Sequence, residues 1–366
     1  MIKALFSTIK YGLDLAPNPP IIPDQSALIK LARQQSILSI IFRAFAKAGI
    51  KNEELSLLCY QDAFYYVNRN YSLRQIYGVL ESTGIPFIPL KGSVLRFLYP
   101  EPWMRTSSDI DVLIHEEDLD RAVKALEDKA ELKFDHRAYH DVAMHGSVVT
   151  LELHFSLKEA MDNIDKILDH VWEYSSPVSG FHYSMTPEFL IFHNIAHMSY
   201  HFSHGGLGIR PYIDLYLLRK KTEYDEGKLR EMLRDCGIER FYDCCCRLLD
   251  VWFEDKDHDE VTERMEQFCF EGGVFGNAAN SMAAKKRKHS GMSYYLHRLF
   301  EDRKSLEQMY PILQEKPGLL FFYQMKRWRK GLTSSRKRVA RELKLMKGTD
   351  DKTVKTYDAL MKSVGL

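Results

Sequence analysis

Residues Asp109 to Ile114 alternate strictly, with Asp109, Asp111 and Leu113 at one parity and Ile110, Val112 and Ile114 at the other. An extended strand sends successive side chains to opposite faces. This stretch therefore lays one apolar face on a core and holds two carboxylates on the other, and a slip of one residue would invert that arrangement. It is bounded upstream by the turn-rich run Pro100-Glu-Pro-Trp-Met-Arg105 and downstream by Glu116 to Glu127, where Leu119, Ala122, Val123 and Leu126 fall at helical spacing.

Two further strands follow from the same logic. In Gly84-Ile-Pro-Phe-Ile-Pro-Leu-Lys-Gly92 a short apolar run between prolines predicts a brief strand feeding a turn, with a helix from Ser93 to Tyr99. In Val148 to Phe155 the residues Val149, Leu151, Leu153 and Phe155 share one face, and Thr150, Glu152 and His154 the other. Elsewhere the apolar spacing is helical: 24 to 48, 53 to 80, and from Thr186 onward, where Thr186 suits a cap and Pro187 the first turn. Helix boundaries are expected near Gly205-Gly206, Gly272-Gly273, Lys316-Pro317 and Gly331. The chain reads as an α+β protein with a helical region over 1–80, a strand-bearing core over 81–178 and a second helical region over 179–366.

The 366 residues, 45% of them hydrophobic, are enough for two or three packed units. The longest apolar runs, such as Gly318-Leu-Leu-Phe-Phe-Tyr323, fall far short of the roughly 20 residues a membrane span needs, so no span is expected. Lys10 and Asp14 interrupt the N-terminus where a secretory signal requires unbroken apolar chain, and the six cysteines show no C-x-x-C pair. A cytoplasmic protein with packing cysteines is the expectation. The net charge of +1 conceals a basic arm from Lys326 to Lys347, whose ten Lys or Arg and one acid amount to +9 and leave −8 on the remainder. With Trp328 among its cations, the arm suits an anionic partner, either a nucleic-acid backbone or a membrane surface; because basic charge alone carries no specificity, a solvated helix face or a dimer contact is the simpler account.

Two ionised aspartates at i and i+2 on one strand face repel unless a cation lies between them. Oxygen-only ligation favours Mg2+ or Mn2+, whose open positions substrate phosphates fill. Upstream, the small-residue turn Leu90-Lys-Gly-Ser-Val-Leu95 presents backbone N–H groups and the Ser93 hydroxyl to phosphate oxygens. If the strand of Glu152 neighbours that of Asp109, three carboxylates converge, two metals can be held, and Glu152 is placed to activate an attacking hydroxyl.

These elements together, Gly92-Ser93, Asp109-Ile-Asp111 and Glu152, resemble the signature of the nucleotidyltransferase superfamily related to DNA polymerase beta. Leu90-Lys-Gly92, Tyr99-Pro100, Arg105 and Ser108-Asp-Ile-Asp-Val-Leu-Ile114 look more closely like a bacterial branch of it. The resemblance implies a small mixed β-sheet core flanked by helices, with Asp109, Asp111 and Glu152 as catalytic carboxylates and metal ligands. It further implies a turn of Lys91, Gly92, Ser93, Arg105 and Ser108 around a nucleotide's phosphates. The implied reaction moves a nucleoside monophosphate from a nucleoside triphosphate, ATP among the candidates, to an acceptor hydroxyl on a protein, a small molecule or RNA. Lys91 departs from the usual Gly-Gly or Gly-Ser pattern; it either contacts a phosphate or is a solvated loop residue. Arg105 either clamps the triphosphate or pairs with an acid to fix its loop.

A second reading comes from His193, His197, His201 and His204, which line one side of a helix at i, i+4, i+8 and i+11. With Asp214 they suggest a metal-dependent phosphohydrolase, although the helix offers no adjacent His-Asp pair. The alternative is that His193 and His197, with His154, line the cleft. Arg210 and Asp214 are spaced for a supporting i,i+4 pair. A third reading is a nucleotide-binding protein without turnover.

Overall fold

The computed structural model describes the chain except residues 139, 160, 274–275, 289–299, 301–302, 304–305, 308–309, 311 and 333–349. It opens with α1 (Ile2–Gly12), α2 (Gln25–Gln34) and α3 (Leu38–Lys47). Asp24 starts α2 by accepting the Ala27 amide at 2.9 Å. The single helix expected over 24–48 is two. Ser36 takes φ 53°, and the buried Gln35 side chain donates to the Cys269 carbonyl and accepts the Ile209 amide. The apolar spacing carries on across this break, so partners more than 170 residues away end the helix, not local propensity.

Helix α4 (Glu53–Thr83) is capped by Asn52, which accepts the Leu55 amide, and ends at Gly84 in the left-handed region, where a Cβ would cost energy. There follow β1 (Phe87–Pro89), the one-turn α5 (Gly92–Leu95), β2 (Ile110–Ile114), α6 (Leu119–Lys129), β3 (Lys133–Arg137), β4 (Asp141–His145), β5 (Thr150–His154), α7 (Asp162–Leu168), β6 (Ser175–Ser179) and β7 (His182–Met185). The seven strands form one mixed sheet in the order β3-β4-β5-β2-β1-β7-β6. Strand β2 runs parallel to β5 and antiparallel to β1, and β1 is parallel to β7. The hairpins β3–β4 and β6–β7 were not among the expected strands. Every residue of β3 is exposed, as is every residue of β6 except the half-buried Ser175, so neither carries the apolar alternation that marks a strand in sequence.

Further helices among the described residues are α8 (Pro187–Ser203), α9 (Arg210–Lys221), α10 (Glu226–Asp235), α11 (Glu239–Phe253), α12 (Glu260–Gly272) and α13 (Ala278–Lys288), with others at Ile312–Glu315, Leu320–Leu332 and Asp351–Val364. Thr186 and Pro187 open α8 as expected. Gly331 lies within the last turn of Leu320–Leu332. In that helix Trp328 packs edge-on against Phe300 and Lys326 lies over the Tyr310 and Tyr323 rings. The rest of the basic arm, 333–347, lies outside the described residues. Among the described residues no helix is long and apolar enough to cross a membrane, and all six cysteines are free.

The sheet separates two cores. Behind it, Ile110, Val112, Ile114, Leu151 and Leu153 pack with Leu73, Ile76 and Leu80 of α4 and with Ala122 and Leu126 of α6. In front, Ile88, Leu90 and Leu113 join a larger core in which α1–α3 and α8–α12 share one apolar interior, for instance through Phe6 stacked on Trp252 at 4.5 Å. The expected parity of β2 and β5 holds. Asp111, Glu152 and His154 stand on the front face, where the sheet meets the helices.

Candidate active site

Strands β2 and β5 lie side by side in a register that pairs Asp111 with Glu152 and Leu113 with His154. Adjacent strands are about 4.8 Å apart, which places the Asp111 and Glu152 carboxylates against each other. Ligand atoms of Asp111, Glu152 and His154 all lie within 4.8 Å of one another. A second trio, His140, Asp141 and His154, is gathered as closely, because antiparallel β4 sets Asp141 opposite His154 and the two imidazoles stack with centroids 5.8 Å apart. Asp109 sits in the bend just before β2, half-buried and outside both trios.

Asp111 is nearly inaccessible, and its Oδ1 accepts from Lys91 Nζ at 2.8 Å while lying 3.1 Å from His154 Nε2. Burial works against its charge, but the Lys91 ammonium and then His154 outweigh it and hold the carboxyl far below the ordinary range. Glu152 moves the other way. Burial and the charge of Asp111 push its pKa up, against the pull of Lys91. The two facing carboxyls are thus shifted in opposite directions, Asp111 down and Glu152 up.

Lys91 reaches Asp111 from the residue that caps α5, with φ 42° and ψ −115°. A side chain rarely adopts that backbone conformation, and the strain is stored at the turn facing the carboxylates. Gly92 follows because the next loop passes directly over it: a Cβ there would lie 2.8 Å from Arg105 Nη1 and 3.0 Å from Ser107 Cβ. Ser107 is held in turn by Arg69 of α4, which donates to its carbonyl, and its own hydroxyl bonds the Asp109 carbonyl. The turn and the approach to β2 are thereby clamped together.

The other residues singled out in the sequence are distributed as follows. Ser93 is buried with its hydroxyl unpartnered, on the α4 side of the turn beside Tyr77, where it lines a cavity of about 510 Å³ with Tyr66, Phe97 and His182. Ser108 is exposed in the bend before Asp109. Arg105 is buried and forms an ion pair with Asp214, Nη2 to Oδ2 2.8 Å, and Tyr99 donates to the same carboxylate at 2.8 Å. The expected i,i+4 pair of Arg210 and Asp214 is one of charge alone, without a direct hydrogen bond between them among the described residues. Arg210 instead donates to the Thr106 carbonyl, so both arginines fix the loop that carries Ser107 to Asp109.

The histidine helix α8 faces this cluster. His193 is buried and held neutral, its pKa brought down to about 3 by desolvation and then by the charges of His197 and Lys91. His197 Nδ1 lies 2.7 Å from Glu159 Oε1. Burial opposes the Glu159 charge, but that hydrogen bond and the charge of His197 bring the carboxyl to about 2. Asp214 is occupied by Arg105 and Tyr99, and among the described residues no three metal-ligating groups converge on α8. The phosphohydrolase arrangement expected from the spacing is therefore not formed; His193 and His197 border the carboxylates. Sequence reasoning overlooked His140, Asp141 and Glu159. The one signal was the doublet His140-Asp141, set in a segment without apolar alternation.

Neither curated proteins nor solved structures offer a match to the chain. A family model does, over residues 23–254, a span that takes in α2 to α11 and the whole sheet together with every residue of the cluster. The chain belongs to the family described as uncharacterised nucleotidyltransferase.

Proposed function

We propose that the protein transfers a nucleoside monophosphate from a nucleoside triphosphate to an acceptor hydroxyl, with Asp109, Asp111 and Glu152 holding Mg2+ or Mn2+. The observation that carries this reading is the register of Asp111 with Glu152 on parallel neighbouring strands, with Asp109 at the mouth of β2. The donor set fits such an ion. It offers carboxylate oxygens, and both nitrogen contacts to Asp111 fall on Oδ1, which leaves Oδ2 free. When bound, the ion neutralises the triphosphate and the charge that develops on its oxygens.

The protein's own groups account for the remaining chemistry. The acceptor oxygen attacks the α-phosphorus, the bond to pyrophosphate breaks, and the hydroxyl proton passes to Glu152, whose pKa is shifted upward by burial and the charge of Asp111. Lys91, whose ammonium stands at Asp111, would supply positive charge to a phosphate oxygen brought against the carboxylates. Gly92 keeps the turn close enough for backbone N–H groups to contribute. The buried wall of α8 excludes water from one side.

The test is triphosphate binding by calorimetry with each of the four nucleotides, with and without Mg2+, on the wild type and on Asp109→Asn/Asp111→Asn. Metal-dependent binding of one nucleotide, lost in the double variant, supports the site and names the donor. Binding that ignores the double substitution removes the carboxylates from the mechanism. Binding without pyrophosphate release in the presence of any hydroxyl acceptor would leave a nucleotide-binding protein in place of an enzyme.

A further inference from the structure

Helix α4 is apolar on two sides. One side packs behind the sheet through Leu73, Ile76 and Leu80, and Leu55 and Cys59 enter the larger core. The other presents Leu57, Tyr60, Phe64, Val67 and Tyr71, each between 61% and 67% exposed. Their spacing of 3, 4, 3 and 4 is the a/d repeat of a helix that pairs with another helix. Scattered exposed apolar residues are ordinary, but five in register along about 21 Å of one helix face form a seam.

Three features of the seam indicate its occupant. The residues flanking it, Ser56, Gln61, Ala63, Asn68 and Asn70, carry no charge, so two identical seams meet without repulsion and no charged partner is selected. The pattern is nearly symmetric about Phe64, with Leu57 and Tyr71 seven residues to either side and Tyr60 and Val67 inside them. The seam is thus self-complementary when one copy is reversed, the condition for a two-fold interface. Beside Leu57 and Tyr60, a groove of about 600 Å³ between α3 and α4, floored by Phe42, Phe45 and Ile50, lies where the reversed helix would bring Tyr71.

We propose that a second copy of this chain covers the seam, the two α4 helices pairing antiparallel about a two-fold axis at Phe64, with Tyr71 of each copy opposite Leu57 of the other. Arg69, which holds the Ser107 carbonyl, projects from the far side of α4, so pairing leaves the carboxylate site open and braces the loop before Asp109 in both copies. A single helix pair buries less than the roughly 800 Å² per partner of a standard interface, so the dimer dissociates reversibly at low concentration.

Sedimentation equilibrium of the full chain over a wide concentration range tests this, together with cysteine cross-linking referenced to the wild type. A reversible dimer is expected, weakened on the order of a hundredfold by Phe64→Glu or by Val67→Glu. Both positions are exposed, so the melting temperature of the monomer should not move. Mixing Phe64→Glu with Phe64→Lys should restore association, because residue 64 meets itself. Phe64→Cys should cross-link to itself, and Leu57→Cys only to Tyr71→Cys. A chain monomeric at every concentration, a dimer indifferent to Phe64→Glu, or Leu57→Cys linking to itself would each overturn the proposal. So would a wild type that stays monomeric yet binds neutral phosphatidylcholine vesicles through Phe64.

Discussion

Lys91 Nζ lies 2.8 Å from Asp111 Oδ1, delivered from a backbone position with φ 42° that side chains rarely occupy. The ammonium's charge is needed where the chain is strained. Two substitutions separate the costs. Lys91→Ala should destabilise the fold, since Asp111 keeps its burial and loses its main counter-charge. Lys91→Gly loses the same charge but relaxes the turn, and should unfold at higher urea than Lys91→Ala, by about 1 kcal/mol. Equal midpoints would mean that the turn is not strained.

Gly92 is required by a neighbour's approach. A Cβ at this position meets Arg105 Nη1 at 2.8 Å and Ser107 Cβ at 3.0 Å. Gly92→Ala should cost about 1–3 kcal/mol in urea denaturation and reduce triphosphate binding more than it reduces stability, because the displaced loop carries Asp109. A variant that binds as tightly as the wild type would show that the loop yields without moving the carboxylate.

Arg105 and Asp214 form a buried pair, and truncating one partner strands the other. Arg105→Ala and Asp214→Ala should each lose about 3–5 kcal/mol, whereas the double change should cost much less than the sum. Strict additivity in this cycle would indicate that the two charges do not depend on each other in the folded protein.

Stability should fall on acidification, for a reason located in α8. His193 has a folded pKa of about 3 against 6.5 in an exposed chain, so between those values the unfolded state binds the extra proton and the folded state is penalised as pH drops. Above pH 6.5 the term vanishes. His193→Gln should remove about one proton from the pH dependence of unfolding, up to about 1.4 kcal/mol per pH unit within that window. An unchanged slope would place the titration on another histidine, such as His201.

If Glu152 is the base, pyrophosphate release should decline on the acid side as its carboxylate takes a proton, with burial and the charge of Asp111 drawing that decline upward and a bound cation drawing it down. Glu152→Gln should lower turnover by about 10²–10⁴-fold and, because Glu152 also holds the ion, weaken metal-dependent triphosphate binding by a smaller factor. Loss of binding with turnover would assign Glu152 to ligation alone.

The parity of Ile110 to Ile114 and of Thr150 to His154 was legible because alternation is a local property: whichever sheet these residues join, Asp111 keeps one face of its strand and Glu152 and His154 one face of theirs, whereas the bend that takes Asp109 off the strand was not. The cap at Thr186, the end of α4 at Gly84 and the small-residue turn at Gly92 were legible for the same reason. Only the tertiary structure set β5 beside β2 and so turned two separate acids into one cluster. It also gave Arg105 to Asp214, turned Ser93 toward Tyr77, split the second helix at Gln35 and added polar strands at the sheet's edges. These outcomes depend on partners far along the chain, whose contribution to a residue's environment is a sum over distances that no sequence window contains. Local periodicity determined which way the side chains face, and long-range packing decided what they face.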